Sequence, residues 1–174
     1  MRTVRVREAQ GRDEAFASAA AASAPPVPTL VHVIHQLGMG GLENGLVNLL
    51  NRMPAERYRH VIVCMTSCGD FGDRIRNDAV AIHEMRRGEV PLALVYWRLF
   101  RLFRRLRPAI VHTRNLSGLD ALLPAVLAGV PVRVHGEHGR DMDDLDGSNA
   151  RHRRLKRLFR PLSAPSSASC PISS

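Results

Sequence analysis

Residues 30–50 of the chain read LVHVIHQLGMGGLENGLVNLL, and this stretch decides the fold class. It opens with a β-branched run that is typical of a buried strand, and glycines follow at positions 38, 40 and 41. Leucine and valine then recur at helical spacing up to Leu50, and Pro54 lies just beyond the helix that they imply. The stretch therefore predicts a strand, a glycine-rich turn and a helix.

The same alternation continues along the chain. We predict further strands at 60–65, 79–83, 109–113 and 132–135, with helices near 71–77, 91–107 and 118–128. Strands that alternate with helices at this spacing indicate βαβ units, so the predicted fold class is α/β, a Rossmann-like parallel sheet with helices on both faces. Ligands of such sheets bind beyond the carboxyl ends of the strands. We therefore expect the loops after the first, fourth and fifth strands to share one crevice.

The length of 174 residues suits a single domain. We expect a disordered leader at 1–28, a Rossmann-like domain at 29–162 and a low-complexity tail at 163–174. The three cysteines form no CxxC pair, so neither a disulfide framework nor a zinc ribbon is indicated and a reducing cytosol is the default. No stretch has the length and apolar character of a transmembrane helix.

The formal net charge of +9 comes mainly from arginines at 98–107 and 151–160. This distribution suggests an anionic partner or surface, although solvated faces of arginine-rich helices explain the same residues. The segment 96–107 is amphipathic, which would suit an anionic membrane surface. A sheet-covering helix with an arginine-rich outer face is the alternative interpretation.

Glycines at 38, 40 and 41 stand between the first predicted strand and the first predicted helix. They permit close approach to the backbone, and the free N–H groups of a helix start can bind phosphate, so the segment is a candidate phosphate loop. A dinucleotide motif would need a glycine where Glu43 stands and an acid at the end of the second strand, where residues 65–67 read MTS. A purely structural tight turn remains an alternative.

The fourth predicted strand is followed by Arg114 and Asn115, whose donors suit hydroxyl or phosphate oxygens. Asn115 could instead cap the helix predicted to begin near Gly118. After the fifth strand, residues 135–141 read HGEHGRD, and such a density of titratable groups favours a functional site over packing. A metal site is the competing chemistry there, but His135 and His138 lack the spacing and the cysteine partners of familiar zinc motifs.

Taken in this order, these segments resemble the N-terminal domain of family 4 glycosyltransferases. Residues 40–43, GGLE, resemble the Gly-Gly-x-Glu element of that family, and the helix 44–50 follows it. More narrowly, residues 40–48, 110–115 and 135–141 are similar to the sugar transferases associated with bacterial PEP-CTERM exopolysaccharide systems. The resemblance covers roughly residues 29–162.

The resemblance implies a GT-B enzyme, in which two Rossmann-like domains face each other across a cleft. The N-terminal domain mostly receives the acceptor, and the C-terminal domain binds the nucleotide-sugar donor. Carried over by motif, Gly40 and Gly41 would approach the donor diphosphate, and His138 would be the catalytic histidine near the transferred sugar. The acceptor side of the cleft would be lined by Glu43, Arg114, Asn115, Glu137 and Arg140.

The same resemblance implies retaining hexose transfer to a glycan or lipid-linked acceptor, with no cofactor and no obligatory metal. The family's paired-glutamate motif and its donor-binding basic residues have no counterpart in this sequence. We therefore expect a truncated enzyme of exopolysaccharide synthesis that is inactive alone. Its expected location is cytoplasmic, with peripheral contact at the anionic inner membrane face.

A function of another class is a stand-alone basic Rossmann-like module that binds an anionic membrane or nucleic acid through its arginine helices. Under the glycosyltransferase interpretation no nucleic-acid partner is expected. Salt-dependent binding to anionic vesicles or nucleic acid, without affinity for glycans, would favour the binding module.

Overall fold

The computed structural model describes residues 27–54, 56–77, 79–137, 154 and 157–163. Most of the predicted leader, half of the second arginine-rich segment and the tail beyond Ser163 lie outside the described residues. His138 and Arg140 lie outside them as well. The domain boundaries expected from the sequence therefore stay predictions.

Strands and helices alternate through the described chain. The strands are β1 (Thr29–Ile34), β2 (Arg59–Cys64), β3 (Ala81–Glu84), β4 (Ile110–Arg114) and β5 (Val132–Gly136). The α-helices are α1 (Gly41–Arg52), α2 (Leu92–Leu106), α3 (Asn115–Leu119) and α4 (Leu122–Leu127), with short 3₁₀ helices at Asp70–Arg74 and Arg160–Leu162. Within the ranges that the structure describes, no helix is long and apolar enough to cross a membrane.

The strands form one parallel sheet in the order β3-β2-β1-β4-β5. This confirms the predicted Rossmann-like α/β fold. In β1, Val31 pairs with Val61 of β2 on one side and with Val111 of β4 on the other. The chain order reverses between β1 and β4, and this topological switch point is where open parallel sheets bind ligands.

Each face of the sheet has its own apolar core, because successive residues of a strand point to opposite faces. On one face, valines of β1, β2 and β4 pack with Val95, Leu99 and Phe103 of α2. The other face packs β1 and β2 against α1, with Leu46 and Leu50 fully buried. Burial of each such side chain contributes about 1.5–3 kcal/mol, so both helix layers are held by their apolar stripes.

Two predicted helices differ from the observed ones. The helix predicted at 118–128 begins earlier, at Asn115, and is interrupted between α3 and α4. Because α4 begins at Leu122, Pro124 lies in its first turn, where a missing N–H removes no intrahelical bond. The helix predicted at 71–77 is instead the 3₁₀ helix Asp70–Arg74, which ends where the Asn51 side chain bonds the backbone of Arg74 and Arg76.

Candidate functional site

The glycine loop leads directly into the N-terminus of α1. Gly40 is the N-cap residue, and the helix begins at Gly41. The first N–H groups of a helix have no intrahelical partner, so they remain available to an anion. Glu43 lies in the first turn of α1, and a Cβ at position 40 would collide with its carboxylate. Glycine at this position therefore leaves room for the carboxylate of Glu43.

Arg114 is the last residue of β4, and its side chain is only 8% exposed. Its Nε atom makes no hydrogen bond within the described part of the chain. Burial lowers the pKa of the guanidinium, while the nearby negative charge of Glu43 acts in the opposite direction. A buried guanidinium with an unused donor is well suited to bind a carboxylate or phosphate oxygen.

Asn115 is the first residue of α3 and has a left-handed backbone, with φ of 55°. The helix begins earlier than the Gly118 start predicted from the sequence, with Arg114 as its N-cap residue, so Asn115 lies in its first turn. Left-handed backbone costs a non-glycine residue about 1 kcal/mol, and asparagine tolerates it better than most. Gly118 follows with no side chain, and a Cβ there would lie 3.2 Å from the carbonyl oxygen of Val33. The start of α3 is thereby held against β1.

Glu137 is exposed and follows β5 directly. His135 lies within β5, two residues before Glu137. Its Nδ1 atom is 2.9 Å from Thr113 Oγ1, and its Nε2 atom is 3.9 Å from Glu137 Oε1. Among the residues described, no group of three His, Cys, Asp or Glu side chains could hold a metal ion.

Strand order brings most of the predicted site residues to neighbouring strand ends. Gly40, Gly41 and Glu43 follow β1, Arg114 and Asn115 follow its neighbour β4, and Glu137 follows β5, the neighbour of β4. The electrostatic effect of Glu43 on Arg114 links the first two groups across the switch point. Because the positions of His138 and Arg140 lie outside the described residues, their places in the site stay predictions.

A row of histidines beneath Arg114 was not expected from the sequence. His32 of β1 and His60 of β2 are buried, with ring nitrogens 3.2 Å apart and ring centroids 5.4 Å apart. His112 of β4 lies 6.1 Å from His32, ring centroid to ring centroid. Burial, and then the charge of Arg114, lowers the pKa of His32 to about 3. The row therefore contains a neutral imidazole next to a buried guanidinium at neutral pH.

A second polar network fixes the segment after β4. Arg87 forms an ion pair with Asp120 and donates a hydrogen bond of 2.9 Å to the carbonyl of Ser117. The Tyr96 hydroxyl of α2 donates to the same Asp120 carboxylate at 3.1 Å. Burial, helped by the Asp120 charge, raises the pKa of Tyr96 to about 12. These bonds tie the turn between α3 and α4 to α2 and to the loop after β3.

Comparison with known proteins places the chain in a sequence family. The family model described as Glycosyltransferase Family 4 matches residues 39–171. No curated protein sequence matches the chain at a significant level. A crystal structure of UDP-N-acetylglucosamine 2-epimerase is similar in fold, with a TM-score of 0.51 and 15% sequence identity. That similarity covers 78% of this chain and 40% of the epimerase chain.

Proposed function

Because the chain belongs to glycosyltransferase family 4, we propose that its sheet is the acceptor-side, N-terminal half of a GT-B enzyme. A donor-binding domain completes the site. The complete enzyme transfers a hexose from a nucleotide sugar to a glycan or lipid-linked acceptor, with retention, in exopolysaccharide synthesis of the PEP-CTERM type. The observation that supports this function best is a pair of groups at the switch point, where the α1 N-terminus follows β1 and the buried Arg114 ends the neighbouring strand β4.

The chemistry of this pairing suits a diphosphate leaving group. Sugar transfer from a nucleotide sugar develops negative charge on the departing diphosphate. The N-terminus of α1 offers N–H groups and the positive end of a helix dipole, and Arg114 adds a full charge. Donors that are fixed before the reaction stabilise that charge without having to reorganise.

The individual roles that we propose are those implied by the resemblance to family 4 glycosyltransferases. Gly40 and Gly41 approach the donor diphosphate, and His138 lies nearest the transferred sugar. The acceptor side is lined by residues from the loops after β1, β4 and β5, namely Glu43, Arg114, Asn115, Glu137 and Arg140. Of these, Arg114 lies next to the donor and also contributes its charge to the departing diphosphate. Catalysis then rests on positioning and electrostatics, which require both substrates to be held together.

A transfer assay tests the proposal. Purified residues 1–174 should transfer no labelled sugar from UDP-glucose, GDP-mannose or ADP-glucose to a lipid-linked acceptor. Addition of a family 4 donor-binding domain in cis should restore transfer. Robust transfer by the purified chain alone, abolished by His138→Ala, would overturn the half-site proposal.

Variants of the two-domain protein separate site residues from structural ones. We expect His138→Ala to lower turnover far more than thermal stability, whereas His135→Ala should cost stability because His135 contacts Thr113. Arg114→Gln should reduce kcat/KM by about 100-fold, the loss typical of a removed charge-stabilising donor. Arg52→Gln is the matched control, since Arg52 is exposed in the last turn of α1. Equal losses in the two arginine variants would exclude Arg114 from the site.

Peripheral docking on an anionic membrane is the second candidate function, supported by the outer face of α2. Its sequence LALVYWRLFRLFRRL contains four arginines and no acidic residue. Trp97 is 52% exposed, and the guanidinium of Arg101 lies 4.6 Å from the centre of its ring. An exposed tryptophan beside arginines suits the interface between anionic headgroups and acyl chains.

Vesicle binding tests this second function. Trp97 is the single tryptophan, so its fluorescence reports its own surroundings. We expect a blue shift with phosphatidylglycerol vesicles, none with phosphatidylcholine vesicles, and weakening by salt and by the double substitution R101E/R104E. Arg114→Gln is the control that leaves this face unchanged. Absence of a fluorescence shift with anionic vesicles would rule out the docking surface. Binding to nucleic acid but not to vesicles would favour a basic module whose partner is nucleic acid.

A further inference from the structure

Two cysteines meet at the carboxyl end of β2, next to the start of the glycine loop. Cys64 is the last residue of β2 and is fully buried. Four residues later, Cys68 is partly exposed and forms an isolated parallel bridge with Leu37. Cys68 packs against the apolar cluster that contains Cys64, so the turn brings two free thiols close together.

The surroundings of the two thiols give them different reactivities. The side-chain interaction between the two thiols lowers the pKa of Cys68 and, together with burial, raises that of Cys64. Burial and the charges of Glu84 and Asp73 act against the lowering at Cys68, and a backbone hydrogen bond at Gly72 assists it. Cys68 is therefore the more acidic and more accessible thiol, and the thiolate is the reactive form of cysteine.

We propose that Cys64 and Cys68 form a reversible intrachain disulfide when the protein meets a peroxide. The Cys68 thiolate attacks a peroxide oxygen, the O–O bond breaks, and Cys68 becomes a sulfenic acid as hydroxide leaves. The sulfur of Cys64 then attacks the sulfenic sulfur and displaces a second hydroxide, which takes up the thiol proton of Cys64. The first hydroxide takes up the proton that Cys68 lost when it became a thiolate. Overall, two thiols and one hydrogen peroxide are converted to one disulfide and two waters.

The disulfide alters the attachment of the glycine loop. In the reduced protein the Cys68 thiol lies 3.5 Å from the carbonyl oxygen of Gly69, and the Gly69 N–H donates to Leu37 at 3.1 Å. A bond to Cys64 removes the Cys68 thiol from this arrangement and draws its sulfur to about 2.05 Å from the sulfur of Cys64 at the end of β2. The bridge to Leu37, which precedes Gly38 directly, then shifts with it.

The test uses the full chain with Cys170→Ser, which leaves only these two thiols. After treatment with hydrogen peroxide, the intact mass should fall by two hydrogen atoms and both thiols should disappear from titration under denaturing conditions. A peptide map should show a Cys64–Cys68 link that dithiothreitol reverses. Amide exchange at Gly69 should be faster in the oxidised protein than in the reduced one.

Two variants assign the order of the steps, after circular dichroism has shown that they fold. In Cys64→Ala, the thiol of Cys68 should stop at a sulfenic acid that dimedone traps. In Cys68→Ala, the buried Cys64 should react at least about tenfold more slowly than Cys68 does. Persistence of both free thiols after peroxide treatment, or a link between chains only, would overturn the disulfide. Unchanged exchange at Gly69 would overturn its effect on the loop, and none of these measurements depends on sugar transfer.

Discussion

Acidification should destabilise the sheet through His32. This imidazole is 1% exposed and lies 3.2 Å from the His60 ring nitrogen. Burial, followed by the charge of Arg114, holds its pKa at about 3, compared with an ordinary value of 6.5. In the unfolded chain the same imidazole is hydrated and protonates near 6.5. As the pH falls, the unfolded state therefore binds a proton before the folded state does, and the folded state loses stability.

The size of the effect follows from the two pKa values. The contribution of His32 is fully present above about pH 6.5 and is lost as the pH falls from there toward about 3. Within this window, each pH unit costs about 1.4 kcal/mol for one proton. At about pH 5 the free energy of unfolding should have fallen by about 2 kcal/mol through His32 alone, and near pH 3 by about 4 kcal/mol.

Urea unfolding of the wild type and His32→Gln, followed by far-UV circular dichroism at about pH 7.5 and about pH 5, measures this loss. Glutamine can still hydrogen-bond His60 but takes up no proton. Between the two conditions the wild type should lose about 2 kcal/mol more than the variant, which is about 1 M urea at an m-value of about 2 kcal/mol/M. His60 and His83, whose pKa values burial also lowers, are present in both proteins.

The exposed His35 provides the matched control, because His35→Gln removes an imidazole without touching the buried row. This control should lose as much stability as the wild type. If His32→Gln loses as much as the wild type and the control, the reasoning from burial of His32 is refuted.

Two further predictions concern helix glycines and the network after β4. Gly45→Ala should stabilise the fold by about 0.5–1 kcal/mol, since a Cβ there meets nothing within 4 Å and alanine favours a helix. Gly118→Ala should instead destabilise it by about 1 kcal/mol, because the new Cβ would press on the Val33 carbonyl of the central strand; equal thermal midpoints of the two variants would contradict this contrast. In a double-mutant cycle, Asp120→Asn and Arg87→Gln should show a coupling of about 1–3 kcal/mol in urea unfolding, and additive losses would show that the ion pair contributes nothing.

The sequence predicts the strands well because each is a local pattern. The predicted strands at 60–65 and 109–113 are each within one residue of the observed β2 and β4. A short β-branched run with a glycine or proline beside it indicates a buried strand with little help from the rest of the chain. The parallel order follows from the alternation with helices, because parallel neighbours need a crossover connection.

Helix interruption was harder to predict. A window of apolar residues at 118–128 has helical periodicity, yet the chain turns at Asp120 between α3 and α4. That turn is held by the Arg87 ion pair and the Tyr96 hydroxyl, which come from 33 and 24 residues away in the sequence. No local pattern contains such contacts.

For the candidate site, the sequence by itself determined the types and order of the groups: glycines before a helix, then arginine and asparagine after β4, then a polar run after β5. Only the tertiary structure decided that Arg114 is buried, that Glu43 influences its charge, and that His32 and His60 meet beneath it. The physical reason is one of range. Backbone preferences and glycine content act between near neighbours in the chain, whereas burial and pKa shifts depend on which distant strands lie side by side and in which register.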